Sequence, residues 1–192
     1  MPWRDRCIAA CPTDALDPAR PYTLHANRCI AYLTIEHDGP IPLDLREAMG
    51  NRVFGCDDCL DVCPFNRFGP ATKEPWFLPR EALADPRLAD FADLDEARFR
   101  EIFSQSAVKR SGLARFHRNL AVALGNWRVA EALPPLIALL NSPHSLVRAH
   151  AAWALGRVPG GPTLLQTALN EEKEQSVLDE IKAALAAQTT PP

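Results

Sequence analysis

No cysteine occurs after position 63, no stretch approaches 18 consecutive apolar residues, and no G-x-G-x-x-G or Walker-type loop is present. The first absence confines thiol chemistry to the opening third of the chain. The second leaves no helical membrane span, and the third removes nucleotide-driven chemistry. Residues 1–11 lack a signal-peptide layout, so a cytoplasmic protein without a membrane partner is expected. An excess of positive charge is missing too: 21 Lys and Arg stand against 24 Asp and Glu, a formal net charge of −3. A nucleic-acid surface would therefore have to arise from local clustering. His25, His37, His117, His144 and His150 are scattered without metal-ligand spacing, and no acid–base constellation stands out, so no catalytic residue is assigned. With 47% apolar and 23% charged residues, the 192-residue chain is an ordinary globular sequence of one large or two small domains.

What is present is six cysteines in the first third: Cys7, Cys11, Cys29, Cys56, Cys59 and Cys63. "GCDDCLDVCPFN" spaces them as Cys56-x2-Cys59-x3-Cys63-Pro64, and "CIAACPTDAL" as Cys7-x3-Cys11-Pro12. A cysteine three residues before a Cys-Pro is the tail of the bacterial ferredoxin run, in which closely spaced thiolates surround a cubane. The proline after the last thiolate turns the chain away. A structural zinc site favours paired C-x2-C knuckles, and only one such pair exists here. A disulfide scaffold has the required even count but lacks a signal sequence. Carboxylates at Asp57, Asp58 and Asp61 would lower the potential of a nearby cluster by disfavouring the added electron.

Residues 1–80 are rich in proline and weak in periodicity, so a cluster would serve as their internal staple. Tyr32–Glu36 reads as a short strand, Asp38-Gly39-Pro40 as a turn, and the following segment as a helix between Pro42 and Gly50. Residues 81–93 read as a linker. From 94 to 192 the period is helical, with Leu94, Phe99, Ile102 and Phe103 on one side of the first helix. "NLAVALGN" at Asn119–Asn126 returns as "HAAWALGR" at His150–Arg157, and "VLDEIKAALAA" from Val177 is a weaker third copy. Prolines introduce the intervening helices. Helix pairs repeated about every thirty residues predict a short α-solenoid, against the alternative of an irregular bundle. The expected fold is thus mainly α: a small ferredoxin-like α+β iron–sulfur domain, then helical repeats. Trp127 and Trp153 are expected in the core. Asn119 and Asn126 are expected to brace the repeat turns, with RNA contact an alternative for Asn119.

No acidic residue lies between Glu101 and Glu131, whereas Lys109, Arg110, Arg115, His117, Arg118 and Arg128 do. Such a stretch can neutralise phosphates, and Arg115 and Arg118 share a helical face. Arg148, His150 and Arg157 extend the strip across the next repeat. A solvated face without a partner is the plainer alternative.

"CIAACPTDAL", "RCIAYLTIEHDGPIP" and "FGCDDCLDVCPFN" resemble the iron–sulfur part of epoxyqueuosine reductase, and "KRSGLARFHRNLAVALGN" with its HEAT-like repeats resembles that family's C-terminal half. The resemblance implies a cobalamin-dependent monomer with two [4Fe–4S] clusters, fed by an electron donor, that reduces epoxyqueuosine to queuosine in tRNA. It implies one complete ligand set, Cys11, Cys29, Cys56 and Cys59. The second set retains Cys7 and Cys63 but has Met1 and Arg4 in place of two cysteines. It also implies cobalamin or substrate contacts for Thr34, Glu36 and Asp57, and tRNA anticodon stem-loop contacts for Lys109, Arg110, Arg115, His117 and Arg118. The family's N-terminal cobalamin domain would precede Met1, so a C-terminal fragment is expected, inactive without that domain. A stand-alone iron–sulfur electron-transfer protein with a helical interaction domain is the alternative.

Overall fold

The computed structural model describes residues 5–20, 22–77, 83 and 85–187, without the side chain of residue 76. Met1 and Arg4, and part of the expected linker, lie outside them. The described elements are α1 (Arg6–Ala10), α2 (Ile30–Ile35), α3 (Leu43–Arg46), α4 (Asp58–Asp61), α5 (Glu96–Ile102), α6 (Gly112–Trp127), α7 (Leu133–Leu140), α8 (Ser145–Leu155), α9 (Gly161–Glu171) and α10 (Gln175–Ala186). Short 3-10 turns join several of them. None of the described helices is long and apolar enough to cross a membrane.

The α+β expectation is not met among the described residues, where pairing is limited to an isolated antiparallel bridge between Leu16 and Leu24. Tyr32–Glu36, read as a strand, lies almost wholly in α2. Five residues of alternation also fit one and a half helical turns, so period alone could not decide. Ile30 and Leu33, three apart, bury one face, and the Thr34 hydroxyl donates back to the Ile30 carbonyl at 2.7 Å. Ile30, Leu33, Ile41, Leu45 and Met49 form a small core that is closed by Val122 of α6.

The second half is a two-layer stack. Helices α6, α8 and α10 pack side by side, with α7 and α9 behind them. The repeated "ALG" explains the stack. A Cβ on Gly125 would lie 2.8 Å from Ala154 in α8, and one on Gly156 would lie 2.8 Å from Ala184 in α10. Glycine at the same repeat position lets successive helices approach closely. Pro134 and Pro135 in the first turn of α7, and Pro162 in that of α9, occupy positions whose N–H groups lack helical partners anyway. Phe99 and Phe103 of α5 join Phe91 and Phe116 in a ring cluster with centroids 5.0–5.9 Å apart. Each such pair adds about 0.5–1.5 kcal/mol beyond area burial. Trp153 packs against both cores, whereas Trp127 is 53% exposed and leaves the core expectation unmet.

All three inner helices reach into the first half. From α6, Arg118 is fully buried and uses all five of its N–H groups. Nη1 donates to the His37 and Gly39 carbonyls at 2.6 and 2.7 Å, and Nη2 to the Leu33 carbonyl at 2.5 Å. Nε and Nη2 both meet Asn119 Oδ1. Burial, then the nearby Arg115 charge, pushes its pKa down to about 10. Asn126 donates to the Arg46 and Gly50 carbonyls. From α8, His150 Nε2 accepts from the Ile41 N–H at 3.0 Å while Nδ1 donates to the Leu146 carbonyl at 2.7 Å. From α10, Glu180 pairs with the buried Arg46 at 2.5 Å.

Replacing Arg118 with Met should destabilise the protein by about 3 kcal/mol or more in urea unfolding. Three inter-half carbonyls would lose their donor, at about 1–3 kcal/mol for each buried unsatisfied group. His150 yields a pH dependence. Burial, followed by the Arg46 charge, depresses its pKa from 6.5 to about 3. A proton taken up in the unfolded state but refused in the folded one favours unfolding. Its contribution is therefore complete above about pH 6.5 and falls as pH drops toward 3, by at most about 1.4 kcal/mol per pH unit. Urea midpoints measured from pH 7.5 to 4 should fall less steeply in His150→Gln than in the wild type.

Candidate metal centre

The cysteines are brought together by short helices and turns. Cys7 lies on α1, and Cys11 ends that helix in an extended conformation ahead of Pro12. Cys29 stands between a 3-10 turn at Ala26–Arg28 and the start of α2. Cys56 precedes α4, Cys59 lies on it, and Cys63 follows it. Helices α1 and α4 pack together, which sets the first cysteine run beside the last. The loop between Cys11 and Cys29 is tied across its base. The Arg28 Nε donates to the Thr13 carbonyl at 2.8 Å, and the His25 N–H to the Ala15 carbonyl at 2.8 Å.

All six thiols are free and half-buried. Burial pushes the Cys59 thiol up, and crowding by Cys29, Cys11 and Cys7 pushes it further. Three separate segments thus deliver sulfur into mutual electrostatic reach. Burial, followed by the hydrogen-bonded Asp58 carboxylate, raises Cys56 against the opposing Asp58 N–H and Arg52 charge. Arg52 clasps Asp58 with two bonds, of 2.5 and 3.2 Å. At Cys11 burial acts upward, but hydrogen bonds from Thr13, Ala15 and Leu16 outweigh it and leave the thiol lowered. The Ala15 N–H donates to its sulfur at 3.2 Å.

This donor set fits an iron–sulfur cluster. Anionic sulfurs that repel one another are relieved by a cationic core between them, and N–H···S bonds are a recognised lever on cluster potential. No three His, Cys, Asp or Glu side chains among the described residues converge as a single-ion site. Tetrahedral zinc would draw its sulfurs to within ~4 Å of each other.

The residues expected to touch cobalamin are placed differently from one another. Thr34 is wholly buried, and its hydroxyl bonds the Ile30 carbonyl and the Gly55 N–H. Glu36 is exposed and paired with Arg110 at 2.8 Å. Asp57 is exposed at the turn after Cys56, with φ of 58°.

Much of the basic segment faces inward. Arg118 is buried among carbonyls, and His117 is buried with Nε2 donating to the Phe91 carbonyl at 3.0 Å. Arg115 donates to the carbonyls of Ile35, Glu36, Arg110 and Ser111. Asn119 faces the cysteine half, not solvent. Arg148 is clasped by Glu172, His150 is buried, and Arg157 lies over the Trp153 ring at 4.8 Å. Arg128 pairs with Glu47. Lys109 and Arg110 remain exposed, on the turn before α6. A sequence signal for this inward role existed: Arg115, Arg118 and Asn119 share a face with apolar Val122.

Comparison with known proteins agrees with this centre. Residues 5–66 match a 4Fe-4S double cluster binding domain, and residues 107–186 match HEAT repeats. The chain is 47% identical over 153 residues to the epoxyqueuosine reductase of Xanthomonas campestris pv. campestris, covering 79% of this chain and 42% of that protein. Identity to the Escherichia coli enzyme of the same name is 43% over 151 residues, with 79% and 39% covered. With the Shewanella oneidensis enzyme it is 40% over 185 residues, 93% of this chain and 45% of that one. Among solved structures, an epoxyqueuosine reductase with a tRNA-Tyr epoxyqueuosine-modified stem loop superposes with a TM-score of 0.87 at 33% identity. That match covers 97% of this chain and 50% of the other. This chain spans half or less of the length of these relatives. Over the length it shares with them, this chain is similar to epoxyqueuosine reductases.

Proposed function

We propose that this chain carries the electron-relay and tRNA-holding part of a reductase that converts epoxyqueuosine to queuosine in tRNA. The observation that carries the reading is the packing of α1 against α4, which sets the first cysteine run beside the last within a stretch that matches a 4Fe-4S double cluster binding domain. In this reading Cys11, Cys29, Cys56 and Cys59 hold a [4Fe–4S] cluster, and Cys7 and Cys63 form a partial second set. A cluster bound there supplies one-electron transfer. The surrounding residues do the rest. Amides at Thr13, Ala15 and Leu16 favour the Cys11 thiolate, while Asp57, Asp58 and Asp61 add negative charge that disfavours reduction. Half-buried thiols keep the centre close to the surface, where an acceptor on another domain can dock. Cobalamin belongs to such a domain in this reading, with Glu36 and Asp57 at most at the edge of its contact. A division near residues 81–93 separates the cluster-bearing part from the helical part.

Support for tRNA holding comes from the similar enzyme solved with a tRNA stem loop. On this chain Lys109 and Arg110 stand on the turn just before α6, where Arg110 pairs with Glu36 of the cysteine half. The alternative is an electron-transfer protein with a helical interaction domain. It is favoured by one observation: Arg115, Arg118 and Arg148 are engaged internally, which leaves little free positive surface.

Anaerobic reconstitution with iron and sulfide should give a brown protein with about four irons per complete ligand set. Cys29→Ala or Cys59→Ala should abolish most of that uptake, whereas Cys63→Ala should retain it. Equal loss in all three variants would overturn the ligand assignment. Binding of an anticodon stem loop should weaken in Lys109→Glu, and the dependence of log K on log salt should flatten by about one for each phosphate that is no longer neutralised. Absence of any salt-dependent binding by the wild type would favour the electron-transfer alternative.

A further inference from the structure

Two residues with left-handed backbone, Gly55 (φ 72°) and Asp57 (φ 58°), bracket Cys56. Such a turn needs a restraint. Side-chain crowding does not supply it, because a Cβ on Gly55 would meet nothing within 4 Å. Hydrogen bonds do. The Gly55 N–H donates to Thr34 Oγ1 at 2.9 Å, and the Val53 carbonyl two residues earlier accepts from Asn119 Nδ2 at 2.9 Å.

The same two side chains hold the Cys29 segment. Thr34 lies on α2, which starts immediately after Cys29, and its hydroxyl donates to the carbonyl of Ile30 at 2.7 Å. The Thr34 carbonyl accepts from Asn119 Nδ2 at 2.8 Å. Asn119 itself is oriented by Arg118, whose Nε and Nη2 both donate to Oδ1. One amide and one hydroxyl, both fully buried, therefore set the distance between the backbone beside Cys29 and the backbone beside Cys56.

We infer that Thr34 and Asn119 are positioning residues for the cluster ligands Cys29 and Cys56, fixing the spacing on which cluster retention and reduction potential depend. This rests on the cluster reading above. Neither side chain is free to touch a corrin or an RNA. They act through Gly55, Val53 and the first turn of α2. Partners that orient metal ligands typically contribute about 10–100-fold to metal affinity.

The test uses the whole chain. Thr34→Val removes the hydroxyl at nearly constant volume, and Thr34→Ser restores it. After anaerobic reconstitution, cluster loss to an iron chelator should be about tenfold faster in Thr34→Val than in the wild type. Its reduction potential and its electron paramagnetic resonance signature should also move. Thr34→Ser should return all three readouts toward the wild type. Far-UV circular dichroism checks that the helices persist, and where Thr34→Val does not fold, Thr34→Ala takes its place. Wild-type chelation rate and potential in the hydroxyl-free variant would overturn the positioning role, as would a serine variant that behaves like valine. A wild type that takes up neither iron nor sulfide would overturn the cluster reading, and this inference with it.

Discussion

The carbonyls at the end of α2 are the constraint on which the structure turns. A helix leaves its last carbonyls without partners, and burying them bare would cost several kcal/mol. Here they meet donors from α6. Leu33 and His37 accept from Arg118, Thr34 from Asn119, and Ile35 and Glu36 from Arg115. Cationic and amide side chains suit the negative end of a helix on electrostatic grounds as well. A six-residue helix that could not persist alone is thereby capped from a segment about eighty positions away.

That cap makes the two halves of the chain one mechanical unit. The small core around Ile30, Leu33 and Met49 is closed by Val122 of α6. Further along the stack, His150 and Glu180 continue the seam from α8 and α10. The repeat supplies a reason for this regularity, since Asn119 and His150 open corresponding copies and both point into the cysteine half. A short solenoid of two full units and a half would be marginal by itself. Leaning on the cysteine half gives it a further surface to bury.

The arrangement also redistributes charge. Most arginines of the basic segment neutralise carbonyl dipoles or carboxylates inside the protein, so the acid-free stretch of sequence does not translate into a positive surface of equal size. What remains outside is Lys109, together with Arg110 and Arg128, which are exposed but paired with Glu36 and Glu47. The cysteines show the complementary behaviour: all six stay half-buried.

The cysteine framework, the helical repeats and the family resemblance were all legible in the linear order of residues, because they depend on spacing along the chain. Cys56-x2-Cys59-x3-Cys63-Pro64 and the echo of Asn119–Asn126 at His150–Arg157 declare themselves without coordinates. The state of Tyr32–Glu36 was not legible, since a short alternating run fits a strand and a helix equally, and its donors come from α6. Nor was the role of Arg115, Arg118 and Thr34. Residue order settles which groups the protein possesses and their local rhythm. Which way those groups face is settled in three dimensions, because an arginine finds phosphate or carbonyl according to the chain folded against it.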